Sequence, residues 1–268
     1  MDLSLRGRAC VVTGASKGIG LATARLLCAD GARVVIAARR LDRLERAARE
    51  CVAAAAQSDG EVEVVAVDVT DPDAPERLVG ACTARFGRID VLVNNAGTSS
   101  TRPLEDLRDD EWQAQWELNV MAPMRLMREA APRMADQGGG RIVNVSSSSG
   151  KRPGLNNAAY SVTKTAELSL SRVFADAYAA RGVLVNAVAP GPVATGLWMG
   201  EGGLADQAGP GAGGRDEAIE AVRRRIPIGR FATEEEVAAV VVFLCSAQAA
   251  SVAGAAWSVD GGYVPLFI

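Results

Sequence analysis

The amino-acid sequence predicts one α/β domain, a doubly wound parallel sheet of about seven strands with helices on both faces. Three observations predict it. Short β-branched runs alternate with longer amphipathic segments from the start of the chain to about residue 190. Those runs are nearly continuous in apolar residues, as strands buried on both faces must be. Residues 1–268 also contain neither an interdomain linker nor an internal repeat. A length of 268 residues is normal for a single large α/β domain, and 49% hydrophobic residues are enough for a two-sided core.

In chain order the strands are expected at Ala9–Thr13, Arg33–Ala38, Val62–Val67, Val91–Asn94, Arg141–Ser146 and Val183–Ala189, with a seventh at Ala255–Val259. The helices between them are expected at Ile19–Ala29, Leu41–Gln57, Asp109–Asp136, Ala158–Arg181 and Glu234–Ser246. One stretch breaks this rhythm: Gly200–Gly214 is rich in Gly, Ala and Pro and precedes the charged run Arg215–Arg225. A floppy surface insertion has that composition. Its position after the sixth strand, where doubly wound sheets bind ligands, makes a substrate lid over residues 196–226 the expectation.

Composition excludes several functions. Lys plus Arg number 29 against 32 for Asp plus Glu, a net charge of −3, which argues against the basic face of a nucleic-acid binder. No apolar run reaches the ~18 residues that span a bilayer, and the N-terminus lacks a signal-peptide stretch. The five cysteines are odd in number and form no CxxC pair, so they read as reduced buried thiols in a cytoplasmic protein, and no metal site is expected. The chain has no histidine. Imidazole triads and proton shuttles are therefore excluded, and acid/base chemistry near neutral pH falls to a carboxylate, Lys, Cys or Tyr.

Thr13-Gly14-Ala15-Ser16-Lys17-Gly18-Ile19-Gly20 stands where the first strand hands over to the first helix. Glycines there allow a tight turn and close backbone approach to a pyrophosphate, which the helix N-terminus stabilises. The spacing is GxxxGxG, not GxGxxG. At the end of the second strand, where NAD enzymes place an acid to hold the ribose 2′-hydroxyl, this chain has Ala38 followed by Arg39 and Arg40. With Lys17, these cations suit the 2′-phosphate of NADP(H), and NAD(H) is the alternative.

Tyr160-Ser161-Val162-Thr163-Lys164 puts a phenol and an ammonium four residues apart on one helix face. A phenol ionises near pH ~10 in model peptides, and a neighbouring ammonium favours its ionised form. YxxxK alone is a common helix-surface pair, but here it has company. Asp68-Val69, Asn94-Asn95-Ala96-Gly97, Asn119, Ser147 and Pro190-Gly191-Pro192-Val193-Ala194-Thr195 follow the glycine turn in order. Over its whole length the chain resembles the short-chain dehydrogenase/reductase family, with the 3-oxoacyl-[acyl-carrier-protein] reductases nearest in pattern.

The resemblance implies a Rossmann-type fold and a set of roles. Tyr160 exchanges a proton with the substrate oxygen, Lys164 lowers the pKa of Tyr160 and bonds the nicotinamide ribose, and Asn119 holds a relay water. Ser147 is selected from Ser146–Ser149 because it lies thirteen positions before Tyr160 and three before Gly150. Its hydroxyl polarises the substrate oxygen. Gly14, Ser16, Lys17, Gly18, Ile19, Gly20 and Arg39 are assigned to the coenzyme phosphates, and Asp68 and Val69 to the adenine. Asn94, Ala96 and Gly97 are assigned to the adenosine-side wall, Val193 and Thr195 to the nicotinamide carboxamide, and Pro190 and Gly191 to the coenzyme site. Trp198 and Met199 are candidates for the substrate pocket. The family also implies a homotetramer, or a dimer, and the apolar tail Tyr263–Ile268 is expected against another subunit.

The function expected is hydride transfer between NADP(H) and a small-molecule carbonyl or secondary alcohol, with no nucleic-acid or membrane partner. Ala38 disfavours an NAD-linked alcohol or sugar dehydrogenase. Retention of Asn119, Ser147, Tyr160 and Lys164 disfavours a nucleotide sensor without turnover.

Overall fold

The computed structural model describes residues 2–99 and 101–266. Seven parallel strands form one sheet: β1 (Ala9–Thr13), β2 (Arg33–Ala38), β3 (Glu61–Ala66), β4 (Val91–Asn94), β5 (Gly140–Val145), β6 (Val183–Pro190) and β7 (Ala256–Val259). Their spatial order is β3-β2-β1-β4-β5-β6-β7. The chain winds outward from β1 through β2 to β3, then crosses back to β4 on the other side of β1. That reversal opens a crevice at the carboxyl ends of β1 and β4, where such sheets bind ligands.

Helices α1 (Gly18–Ala29), α2 (Leu41–Ala54) and α3 (Ala74–Phe86) join the first four strands. Between β4 and β5 lie α4 (Asp109–Trp116), a π-helical turn at Glu117–Met121, and α5 (Ala122–Asp136). The short α6 (Ser148–Lys151) and the long α7 (Ala158–Tyr178) lead to β6. After β6 come α8 (Gly196–Met199), α9 (Leu204–Ala212), α10 (Arg215–Arg223) and α11 (Glu234–Cys245). Leu27 of α1, Leu44 of α2 and Leu244 of α11 bury against one face of the sheet with Val12 and Ile36. Leu78 of α3 and Leu126 and Met127 of α5 bury against the other with Val11, Leu92 and Ile142. Each such side chain contributes ~2–3 kcal/mol on leaving water.

The structure departs from the sequence expectations in three places. Helix α3 is absent from the expected set although Pro75 opens it and Gly87, at φ +80°, closes it. The stretch Asp109–Asp136 is not one helix, because the π turn interrupts it. Pro123 explains the break: it has no N–H for the carbonyl four residues back, that of Asn119, so the ladder shifts and Ala122 N–H bonds the Glu117 carbonyl instead. The tail also departs. Val264 is buried against its own chain and Tyr263 stacks under Arg225, with 5.2 Å from guanidinium to ring centre; Leu266 is exposed, and Phe267 and Ile268 lie outside the described residues.

Candidate active site

A cleft of about 1080 Å³ runs along the carboxyl ends of the strands. Its first wall is the turn from β1 into α1. Gly14 and Gly18 adopt φ of +66° and +64°, which an L side chain rarely takes. A Cβ on Gly14 would stand 2.8 Å from Asn95 Nδ2, and one on Gly20 would stand 2.6 Å from the Gly14 carbonyl oxygen. The turn is thus pinned to the loop after β4: Asn95 N–H and Ala96 N–H donate to Thr13 Oγ1 at 3.0 and 3.1 Å, and Asn95 Nδ2 donates to Thr13 O at 2.9 Å. No side chain caps the start of α1, so its first-turn N–H groups remain for a ligand. Gly14, Ser16, Lys17, Gly18 and Ile19 line the cleft, whereas Gly20 sits behind it as a close-packing position.

Beyond β2 the lining is cationic. Lys17, Arg39, Arg40 and Arg43 border the cleft together with Asp68, Val69 and Thr70. Arg40 is held by Asp42 at 2.7 Å, and Arg39 lies 3.9 Å from Asp68. Arg43, which the sequence reading missed, has no carboxylate within ion-pair distance among the described residues. One half-buried acid and four cations make a donor set that fits a phosphate on the adenosine ribose. Asp68 itself accepts from Thr70 N and Oγ1 at 3.0 and 2.8 Å, which fixes the turn after β3.

At the other end the candidate acid/base residues assemble around β5 and α7. Ser147 lies two residues beyond β5, in extended conformation, and caps α6, its Oγ accepting from Ser149 N–H at 3.1 Å. That leaves the Ser147 O–H free to donate into the cleft. The neighbouring serines are structural ties. Ser146 Oγ donates to the Lys164 carbonyl at 2.9 Å, and Ser149 Oγ accepts from Asn157 Nδ2 at 3.4 Å. Tyr160 and Lys164 both line the cleft, with Lys164 Nζ 5.9 Å from the Tyr160 ring centre.

Lys164 is 3% exposed, and its ammonium donates to the Val145 carbonyl and to Glu167 Oε2, each at 2.9 Å. Burial alone would push Lys164 down, but the buried Glu167 carboxylate, together with Tyr160, acts the other way and the net direction is upward. Burial raises Glu167, with Lys164 acting the other way. Glu167 was missed by the sequence reading. The signal was there: positions 160, 164, 167 and 171 form one helix stripe, and a carboxylate on a stripe that turns inward demands a partner.

Asn119 sits in the π turn, buried, behind Gly97 and not in the cleft lining. Its Nδ2 donates to Gln115 Oε1 at 2.8 Å and to Thr163 Oγ1 at 3.2 Å, and Thr163 Oγ1 donates to the Tyr160 carbonyl at 2.8 Å. Its Oδ1 is buried with no partner, 3.2 Å from where a Gly97 Cβ would be. An unsatisfied buried oxygen next to the cleft wall leaves room for a hydrogen-bond donor there. Asn94 does not reach the cleft. Its side chain enters the core, donating to Asn144 Oδ1 at 2.8 Å, while Asn144 donates to Ser171 Oγ at 2.7 Å. Alternation along β4 sends Asn94 inward and leaves the wall to Asn95, Ala96 and Gly97.

The last wall is the loop after β6. Pro190, Gly191, Pro192, Val193 and Thr195 line the cleft, and a bridge from Val193 to Ala232 fixes them beside the start of α11. Thr195 Oγ1 caps α8, accepting from Leu197 N–H at 3.2 Å. Trp198 joins the lining and packs edge-on to Phe231 at 5.4 Å, but Met199 does not line it.

A glycine turn after the first strand and a Tyr–Lys pair facing a free serine hydroxyl across one cleft define a dinucleotide-dependent oxidoreductase. Comparison with known proteins agrees. Residues 14–264 match the family model described as enoyl-(acyl carrier protein) reductase, and the chain belongs to the short-chain dehydrogenases/reductases. It is 40% identical to a cis-4-hydroxycyclohexanecarboxylate dehydrogenase of Sinomonas cyclohexanicum, over 96% of each chain. It is 34% identical to a 3-oxoacyl-[acyl-carrier-protein] reductase of Thermotoga maritima, over 98% of this chain and 100% of that one. The structure of L-sorbose reductase from Gluconobacter frateurii, complexed with NADPH and L-sorbose, superposes with a TM-score of 0.92 at 37% identity over 100% of both chains.

Proposed function

We propose that this chain reduces a carbonyl to a secondary alcohol with NADPH, and runs the reverse with NADP. The observation that carries the reading is the placement of Tyr160, Lys164 and the free hydroxyl of Ser147 in the same cleft as the Gly14–Gly20 turn and the Lys17, Arg39 and Arg43 cations. The coenzyme supplies or accepts the hydride. Tyr160 gives the proton that the substrate oxygen takes up, and Ser147 donates a hydrogen bond to that oxygen. Lys164 keeps a positive charge beside the phenol and offers a donor to the nicotinamide ribose. Asn119, through Thr163, holds the backbone of Tyr160 in place, and its unpaired Oδ1 receives the relay water. Lys17, Arg39 and Arg43 take the 2′-phosphate, Asp68 and Val69 the adenine, Ala96 and Gly97 the adenosine side, and Val193 and Thr195 the carboxamide.

Two further arginines, Arg152 and Arg225, line the cleft without an acidic partner among the described residues, and its acids are only Asp68 and Glu117, the latter held by Arg125. Unpaired guanidinium groups beside the site favour a hydroxy or oxo substrate that carries a carboxylate or phosphate. The names of the relatives span such acids, sugars and carrier-bound acyl groups. Following NADPH and NADH oxidation over a set of oxo acids, ketoses, cyclic ketones and oxoacyl thioesters tests both parts. Turnover of none of them, or preference for NADH, would overturn the reading.

The reading includes a lid over residues 196–226, a cytoplasmic location and a homotetramer or homodimer. The five buried free thiols support the location, and among the described residues no helix is long and apolar enough to cross a membrane. Exposed Val162 and Val173 on α7 and Trp257 on edge strand β7 support assembly through those elements.

A further inference from the structure

Glu167 is 2% exposed and has one charged partner, the ammonium of Lys164. The other acids buried in the core are differently served: Asp90 pairs with Arg8 and Arg88, and Asp260 accepts two turn N–H groups. A buried carboxylate is costly, and nothing in the packing of α7 requires one at this position. Its effect falls on Lys164. An ammonium has three donors, and two are taken, by Val145 O and by Glu167 Oε2. The third is left for the cleft, on the side of Gly97, where a Cβ would stand 3.7 Å from Nζ.

We propose that Glu167 is a positioning residue that keeps Lys164 protonated and aimed into the cleft at alkaline pH, the range that favours alcohol oxidation. This rests on the role given to Lys164 above. The groups around the pair support it. From α7 the titratable groups acting on Lys164 are Glu167 and Tyr160. Strand β5 presents only the Val145 carbonyl and the Ser146 hydroxyl, the loop after β4 presents Gly97, and the π turn presents Asn119. No other charged group on the elements packed against α7 perturbs either partner. Burial is the strongest influence on Lys164 and acts to remove its proton; Glu167, the larger of two opposing groups, acts with Tyr160 to reverse the outcome. Without Glu167 the ammonium would lose its proton at lower pH, and with it the donor toward the coenzyme ribose.

The test titrates NADPH binding against pH by nicotinamide fluorescence, in parallel with the pH profile of alcohol oxidation, for wild type, Glu167→Gln and Glu167→Asp. In wild type, affinity should hold through the ordinary lysine range. In Glu167→Gln it should match wild type near neutrality and fall on the alkaline side with a midpoint at least roughly one unit lower, a tenfold difference at fixed pH. Glu167→Asp should recover part of that shift. A purely structural role predicts a uniform loss at every pH and a lower Tm, and that result, or superimposable pH curves, overturns the proposal. Should the variants not fold, the Lys164 Nζ resonance in ¹⁵N-labelled wild type decides: titration below the ordinary lysine range sinks the proposal. Binding and resonance need no substrate, so they stand apart from any failure to find turnover.

Discussion

The two ends of the cleft are built on different principles. The coenzyme end is made of backbone: Gly14 and Gly20 sit where a Cβ would collide with Asn95 or with the Gly14 carbonyl, and Thr13 Oγ1 receives two N–H groups of the facing loop. The end we assign to substrate is made of side chains on short helices. Segment 196–226 is held by Arg215, which bonds Asp206 and the Met199 carbonyl, and by the edge contact of Trp198 with Phe231. The first arrangement admits one geometry. The second is adjustable, and it is where specificity for a substrate can change without disturbing coenzyme or fold.

The strongest test of that separation is Tyr160→Phe. The ring stays and the transferable proton goes, so turnover should fall by about a thousandfold or more while NADPH affinity and Tm stay close to wild type. A variant keeping over roughly a tenth of its activity would remove Tyr160 as the acid/base. Loss of coenzyme binding as large as the loss of turnover would show the two ends to be one unit.

The same contrast decided what could be read from the sequence. Strands Ala9–Thr13, Arg33–Ala38 and Val91–Asn94 coincide with those expected, because an unbroken apolar run between polar turns leaves no other register. The glycine turn was legible for the same reason. The π turn was not, since apolar periodicity runs through Trp116 and Met121 and only Pro123 marks the shifted ladder. Asn94 was placed on the cleft wall by motif, but strand alternation sends it into the core and gives the wall to Asn95. Glu167 and Arg43 were missed because helical charges read as solvated until the packing shows which face turns inward.

A middle-sized effect is expected from Arg39→Asp. Arg39 is exposed and only loosely near Asp68, at 3.9 Å, so it is available to a 2′-phosphate. A charge-assisted hydrogen bond contributes ~1.5–3 kcal/mol, and the new carboxylate would repel the phosphate. NADPH affinity should drop by about tenfold to a hundredfold, with NADH affinity unchanged or improved. Isothermal titration with both coenzymes checks it, and equal losses for the two would place the 2′-phosphate elsewhere.

The smallest effect should come from Arg215→Ala, and it bears most directly on the adjustable end. Arg215 starts α10 and reaches back to Asp206 in α9 and to the last residue of α8, so one side chain ties three short helices together. Its hydrogen bond holds the Asp206 carboxyl below the usual carboxylate range. A depressed carboxyl contributes when ionised, so the tie is complete above about pH 4 and is lost as pH falls through the lower value. Both side chains are about one-third exposed, so water screens the pair and its contribution is modest. Removing it should raise the substrate KM by roughly two- to fivefold at neutral pH and expose the segment around residue 205 to proteolysis. Coenzyme affinity should move less than substrate affinity, because among the described residues no hydrogen bond or ion pair joins the glycine turn to Arg215 or Asp206. If NADPH affinity falls along with substrate affinity, segment 196–226 also closes over the coenzyme, and the boundary between the fixed and adjustable ends lies nearer the glycine turn.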